Sequence, residues 1–146
     1  MKIIIDADGC PVVRETESAA QRHGLSCTAV CDICHMLNLE YAVVITVDKG
    51  RDSADLKITS LAAKGDIVVT QDYGLAAMCL AKGAIPLNQD GMVYDSDNID
   101  ALLLSRHTAA KIRRSGGRLK GQPKRTKEQD AAFTAALEKL IKNHLL

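Results

Sequence analysis

Residues 2–8, K-I-I-I-D-A-D, hold the pattern that decides the fold: a short β-branched run ending in two carboxylates. An apolar run of this length with no alternation marks a strand covered on both faces, the habit of parallel sheets. The pattern returns at 42–48, A-V-V-I-T-V-D, and at 67–72, I-V-V-T-Q-D. Strands are expected at 2–5, 26–30, 42–47, 67–69 and 85–87. Helical spacing fills the gaps. Pro11 suits the first position of a helix that carries Val12, Val13, Ala19, Ala20 and His23 on one face and stops at Gly24. Asp52 is expected to cap a second helix, bearing Ile58, Leu61 and Ala62 and ended by Gly65. A third spans 73–82 and ends at Gly83.

Strand and helix alternate, so the fold class is α/β: a three-layer α/β/α sandwich with a mostly parallel sheet. Beyond residue 95 only helices are expected. Asp97 or Asn98 opens one, with Ile99, Leu102 and Leu103 inward. A capping box of Thr126 and Gln129 opens the last, whose stripe of Phe133, Ala136, Leu137, Leu140 and Ile141 must cover the sheet or a partner subunit. A homo-oligomer is therefore one expectation. The organisation is one domain over 1–146: an α/β core at 1–95, then a helical part at 96–146 with a hinge at 116–123.

Composition bounds the classes of function. The 146 residues are 47% hydrophobic and 25% charged, which suits a globular domain. No apolar run approaches the roughly 20 residues of a bilayer span, and Asp6 and Asp8 interrupt any signal-peptide pattern. Five cysteines, an odd number, read as reduced thiols rather than a disulfide framework, so the expected location is cytoplasmic. The net charge of +1 conceals segregation: residues 1–110 hold 15 acids against 9 Lys/Arg, whereas 111–127 hold 8 Lys/Arg and no acid. This basic arm, carrying Lys111, Arg113, Arg114, Arg118 and Lys120, attracts polyanions through counterion release.

Ligands of open parallel sheets collect beyond the carboxyl ends of the strands. Asp6, Asp8, Asp48 and Asp72 stand there, with Asp52 and Asp55 at the adjoining helix start. Carboxylates held a few ångströms apart repel unless protonated or neutralised. A hard divalent ion relieves that strain, and an all-carboxylate set suits Mg²⁺ or Mn²⁺. The competing explanation is that each aspartate caps the helix that follows it. Asp8, a second acid at one strand end, argues against capping alone, and Asp55 and Asp52 rank above Asp48. Arg106 is a candidate phosphate contact, with His107 beside it.

Other constellations carry less. Cys27, Cys31 and Cys34 spell C-x3-C-x2-C, and His35 completes a zinc-like set, but strand cysteines acting as small apolar residues are the better reading. Cys10 lacks the partners of a redox or phosphatase loop. The few aromatics, Tyr41, Tyr73, Tyr94 and Phe133, argue against a base-stacking platform.

Taken in order, D-A-D-G-C-P-V, V-D-K-G-R-D-S-A-D, G-D-I-V-V-T-Q-D-Y-G-L-A, N-I-D-A-L-L and R-R-S-G-G-R-L-K-G resemble the YaiI/YqxD family of bacterial proteins. The likeness spans essentially the whole chain, with Gly9 standing where that family more usually has Ala. The family is similar to PIN-like domains, metal-dependent nucleases on a parallel α/β/α sandwich. The resemblance implies Asp6 as the acid ending the first strand, Asp72 as the acid of a T-x-D motif and Asp55 or Asp52 as the middle helical acid, with Asp8 an addition. The expected function is a Mg²⁺- or Mn²⁺-dependent phosphodiesterase, a nuclease acting on RNA or another nucleic acid. Its catalytic set is Asp6, Asp8, Asp72 and Asp55, and Asp52 joins these among the metal ligands. Two alternatives are a non-catalytic nucleic-acid-binding or interaction module and a phosphatase of the haloacid dehalogenase type, with Asp6 as nucleophile and Asp8 as acid.

Overall fold

The computed structural model describes residues 1–32, 37–50, 52–116 and 124–145. Among them, five strands form one parallel sheet: β1 (Ile3–Asp6), β2 (Cys27–Asp32), β3 (Val43–Val47), β4 (Ile67–Val69) and β5 (Ile85–Leu87). Their order is β3-β2-β1-β4-β5. Ile3 lies opposite Cys27 on one side and Ile67 on the other, so β1 is central and paired along both edges. All five expected runs are strands, and β1 and β2 each continue to an aspartate, Asp6 and Asp32. An isolated antiparallel bridge joins Leu87 to Val93.

Side chains of a strand alternate between faces, and both faces here are apolar and covered. Ile3, Ile5, Cys27, Ala29, Cys31, Ile67 and Val69 pack beneath α1 (Val13–Arg22) and α5 (Lys127–Leu145), whose Val13, Ala20, Phe133, Leu137 and Ile141 are buried. Ile4, Val30 and Val68 face α2 (Ser53–Leu61) and α3 (Tyr73–Ala81) through Ile58, Leu75 and Cys79. The result is three layers. A buried isoleucine contributes roughly 1.5–3 kcal/mol by area, so Ile3, Ile4 and Ile5, all fully buried, anchor the strand that carries Asp6. The remaining helix, α4 (Ile99–Arg114), leans on α3 through Ile99, Leu102 and Leu103 around Ala76 and Tyr94.

The stripe on α5 covers the sheet beside α1, where Glu138 meets Arg22 at 2.5 Å and His23 at 2.6 Å. Arg125 fastens the start of α5: it reaches Asp130 and Asp90 at 2.6 Å each and also donates to the Gln89 carbonyl. Gly91, with φ +93°, lies against this helix so closely that a Cβ would stand 2.8 Å from the Ala132 carbonyl. The capping box is present, with the Thr126 amide donating to Gln129 at 2.8 Å.

Several local expectations need correction. Pro11 is not the first helical residue; a turn closed by the Cys10 amide on the Ala7 carbonyl occupies its surroundings, and α1 begins at Val13. Asp52 sits at the N-cap position of α2 but in a left-handed conformation, φ 69°, with no side-chain capping bond. That helix stops at Leu61, short of Gly65. Asn98 precedes α4 without a side-chain cap on the helix; Asp95 instead accepts from the amides of Asp97 and Asn98. Among the described residues no helix is long and apolar enough to cross a membrane.

Candidate functional site

The strand order places a switch point between β1 and β4. From β1 the chain moves outward through β2 and β3; it then returns to β4 and moves the other way to β5. Crossovers leave opposite faces on the two sides of such a point, which opens a crevice beyond the strand ends where ligands of open α/β sheets bind. Asp6 ends β1, and Thr70, Gln71 and Asp72 follow β4, so all of them border this crevice. A cleft of about 540 Å³ lies there, lined by Asp6, Asp8, Gly9, Gln71, Asp72, Tyr73 and Arg106.

Thr70 organises the cleft. Its buried hydroxyl donates to Asp6 Oδ2 at 2.8 Å and accepts from the Asp72 amide at 3.0 Å, so it bridges the two strand ends. Tyr94 holds it from behind, donating its hydroxyl to the Thr70 carbonyl at 3.1 Å. Gln71 Nε2 donates to the Gly9 carbonyl at 2.9 Å, tying the loop after β4 to the loop after β1. Asp8 Oδ2 accepts from the Asp32 amide at 3.0 Å at the end of β2.

Asp72 does double duty. Its Oδ1 caps α3 by accepting from the amides of Gly74 at 2.8 Å and Leu75 at 3.1 Å, and it lies 3.4 Å from Arg106 Nη1. Gly74 leaves room for this approach: a Cβ there would stand 3.1 Å from that nitrogen and 3.2 Å from Asp72 Oδ1, tight enough that one of them would have to shift by a few tenths of an ångström. Capping and cleft lining are thus not exclusive at this residue.

The carboxylates also feel one another. Burial pushes Asp6 from 3.8 up to about 6, the Thr70 hydrogen bond opposes it, and Asp55, Asp72 and Asp8 add to the rise. Asp55 is raised as well, first by burial and then by Asp72 and Asp52, while Arg106 pulls it back. Asp55 stands in the first turn of α2, and its charge acts on Asp6, whereas that of Asp52 acts on Asp55. Asp48 lies elsewhere, in a groove with Thr46, Ser53 and Lys57. Among the described residues no group of three or more His, Cys, Asp or Glu side chains already stands in a metal-holding arrangement.

The basic residues divide. Arg106 lines the cleft. Lys111, Arg113 and Arg114 are exposed on the last turns of α4, some five to eight residues further on; at 1.5 Å per residue this is roughly 8–12 Å along the axis. Arg118 and Lys120 lie outside the described residues, as do Cys34 and His35. Arg125 is held by Asp90 and Asp130. Cys27 and Cys31 are core residues of β2, with burial pushing Cys27 up to about 12, which suits apolar packing rather than ligation. Cys10, pushed up to about 11 chiefly by burial, is a poor nucleophile.

The sequence pattern pointed to Asp6, Asp8, Asp55 and Asp72 but not to Thr70, Gln71, Gly74 or Tyr94. Thr70 stood in the T-Q-D run as a flanking residue; only the pairing of β4 beside β1 shows that its hydroxyl touches Asp6.

A family model described as "Uncharacterized BCR, YaiI/YqxD family" matches residues 4–143. A "UPF0178 protein" from Ruminiclostridium cellulolyticum is 51% identical over 142 residues, covering 97% of this chain and 93% of its own. Another from Clostridium acetobutylicum is 46% identical over 143 residues, with 97% of each chain covered. No solved structure matches the chain.

Proposed function

The chain belongs to the YaiI/YqxD family, and for this member we propose a divalent-metal-dependent phosphodiesterase, a PIN-like nuclease acting on RNA or another nucleic acid in the cytoplasm. The observation that carries the proposal is that Asp6, Asp8 and Asp72 line one cleft at the switch point, with Asp6 pushed up to about 6 by burial and, against the Thr70 hydrogen bond, by the charges of Asp55, Asp72 and Asp8. The donor set is all oxygen and strongly negative, which fits a hard ion such as Mg²⁺ or Mn²⁺. Asp6, Asp8, Asp72 and Asp55 would hold it, with Asp52 as a further ligand. When bound, such an ion supplies activation of water and neutralisation of charge on a phosphate.

The chain's own groups account for the remainder. Thr70, anchored by Tyr94, keeps the Asp6 carboxylate directed along the hydrogen bond it accepts. Arg106, 59% exposed at the cleft wall, is free to swing from Asp72 to a phosphate and there form charge-assisted bonds. Lys111, Arg113 and Arg114 extend that positive track along α4, and the arm that follows, with Arg118 and Lys120, would lengthen it on the nucleic-acid backbone.

Mn²⁺-dependent cleavage of a labelled single-stranded RNA tests the proposal. Asp6→Asn should cut at least ~100-fold more slowly, as befits loss of a group that acts on charge in the transition state. Wild-type turnover in that variant would sink the reading. The capping bonds of Asp72 favour one second reading, a non-catalytic nucleic-acid-binding module, since they keep one of its oxygens occupied. RNA binding without metal, with a steep salt slope and no cleavage, is its signature.

A further inference from the structure

We propose that the outer face of α4 is an interface for a second copy of this chain, the two helices packing antiparallel about a two-fold axis. Ala101, Leu104, Ser105, Thr108, Ala109 and Ile112 line a groove of about 440 Å³ on this helix. Their spacing of three and four makes one continuous stripe. The stripe lies away from Ile99, Leu102 and Leu103, the residues that seat α4 on α3. Leu104 is 65% exposed and Ile112 is 37% exposed. Single exposed apolar residues need no explanation, but here Leu104 and Ile112 share one stripe with Ala101 and Ala109.

Charge selects the occupant. Asp97 and Asp100 stand at the start of the helix, and Lys111, Arg113 and Arg114 stand at its end. The helix dipole alone accounts for that polarity, but not for the apolar residues between the two charged ends. A second α4 laid antiparallel sets each acidic end against the other's basic end, whereas a parallel copy would oppose like charges. The same register puts Ala101 opposite Ile112 and Leu104 opposite Ala109. Asp100 then stands beside the other copy's last turns at Lys111. Small residues facing large ones allow close approach of the two axes, and a self-complementary patch of this kind closes as an isologous dimer. The stripe from 101 to 112 is only about 17 Å long. One helix face of that length is smaller than the roughly 800 Å² per partner of a standard interface, so the dimer should be weak and reversible.

Sedimentation velocity on the full chain, from about 1 µM to 500 µM, tests this. The wild type should pass from monomer to dimer across that range, and Leu104→Glu, at an exposed position, should remain monomeric with an unchanged circular dichroism spectrum. Asp100→Lys and Lys111→Asp should each weaken dimerisation at least about threefold, because the two-fold axis counts every such pair twice. The double reversal should restore the wild-type constant to within about twofold. The swap pair keeps the test decisive should Leu104→Glu misfold. A monomer at every concentration overturns the proposal, as does a dimer that survives both Leu104→Glu and Ile112→Glu. A monomeric wild type whose Tm falls on Leu104→Glu also overturns it, since the face would then be covered by the chain itself.

Discussion

Replacing Asp6 by Asn should make the metal-free protein more stable, although Asp6 stands in the heart of the cleft. Its carboxyl is pushed from 3.8 up to about 6 by burial, with Asp55, Asp72 and Asp8 adding to the rise against the Thr70 hydrogen bond. Each pKa unit is worth about 1.4 kcal/mol, so keeping Asp6 ionised above pH 7 costs about 3 kcal/mol of folding free energy. The sign follows from proton linkage. Below pH 3.8 the carboxyl is protonated folded and unfolded, and nothing is lost. Between about pH 4 and 6 the folded chain holds the proton and the unfolded chain does not, so stability falls as pH rises. Above pH 6 the full cost is present. An amide removes the charge and keeps an oxygen for the Thr70 hydroxyl, so Asp6→Asn should gain about 2–3 kcal/mol at pH 8, or roughly 6–10 °C in Tm. The assay is thermal unfolding with EDTA at pH 8 and at pH 4, and at pH 4 the gain should nearly vanish. A variant no more stable than wild type at pH 8 would refute the claim that the cleft stores uncompensated negative charge.

Thr70→Val removes the bridge between the strand ends, leaving Asp6 and the Asp72 amide each short of a partner. Urea unfolding should show a loss of about 1–3 kcal/mol, and the Asp6 titration, followed by carboxyl NMR, should move above 6. Glu17, only 8% exposed, accepts from the amides of Tyr41 and Ala42 at 2.9 Å each. Glu17→Ala orphans both donors and should cost about 2–4 kcal/mol in a urea melt, whereas Glu17→Gln, which retains an acceptor, should cost less than half of that. Gly74→Ala should cost little stability, since Ala is the better helix former by about 1 kcal/mol. It crowds Arg106 away from Asp72, so RNA affinity measured by anisotropy should change severalfold at nearly constant Tm.

The strands were legible because each is a short apolar run bounded by turn residues, and burial on both faces leaves that pattern no other home. Asp6 and Asp72 were legible for the same reason, since an acid that ends such a run has to emerge at the sheet's edge. The order of the strands was not. No local pattern in Ile3-Ile4-Ile5 states that Ile67 lies on one side and Cys27 on the other. That pairing is what makes Thr70 a partner of Asp6 and turns two separate strand ends into one crevice. The failure of Asp52 to cap α2 was equally hidden, because it goes with a left-handed backbone at Asp52 that no helix-capping rule anticipates. The basic arm reads as uniform in sequence, yet Arg125 within it is engaged by Asp90 and Asp130 at the base of α5. Charge runs reveal a polyanion site only after such structural pairs have been subtracted.

The central claim is that the carboxylates at the switch point form one cation site, and Mn²⁺ binding tests it without requiring turnover. Titration of the purified chain at pH 7.5, followed by the electron paramagnetic resonance of free Mn²⁺, should reveal saturable binding. That binding should weaken at least about tenfold in both Asp6→Asn and Asp55→Asn, the loss of a direct charged ligand being worth 1.4 kcal/mol or more. Asp48→Asn should leave it unchanged. Wild-type binding in the Asp6 and Asp55 variants, or no saturable binding by the wild type, would contradict the account.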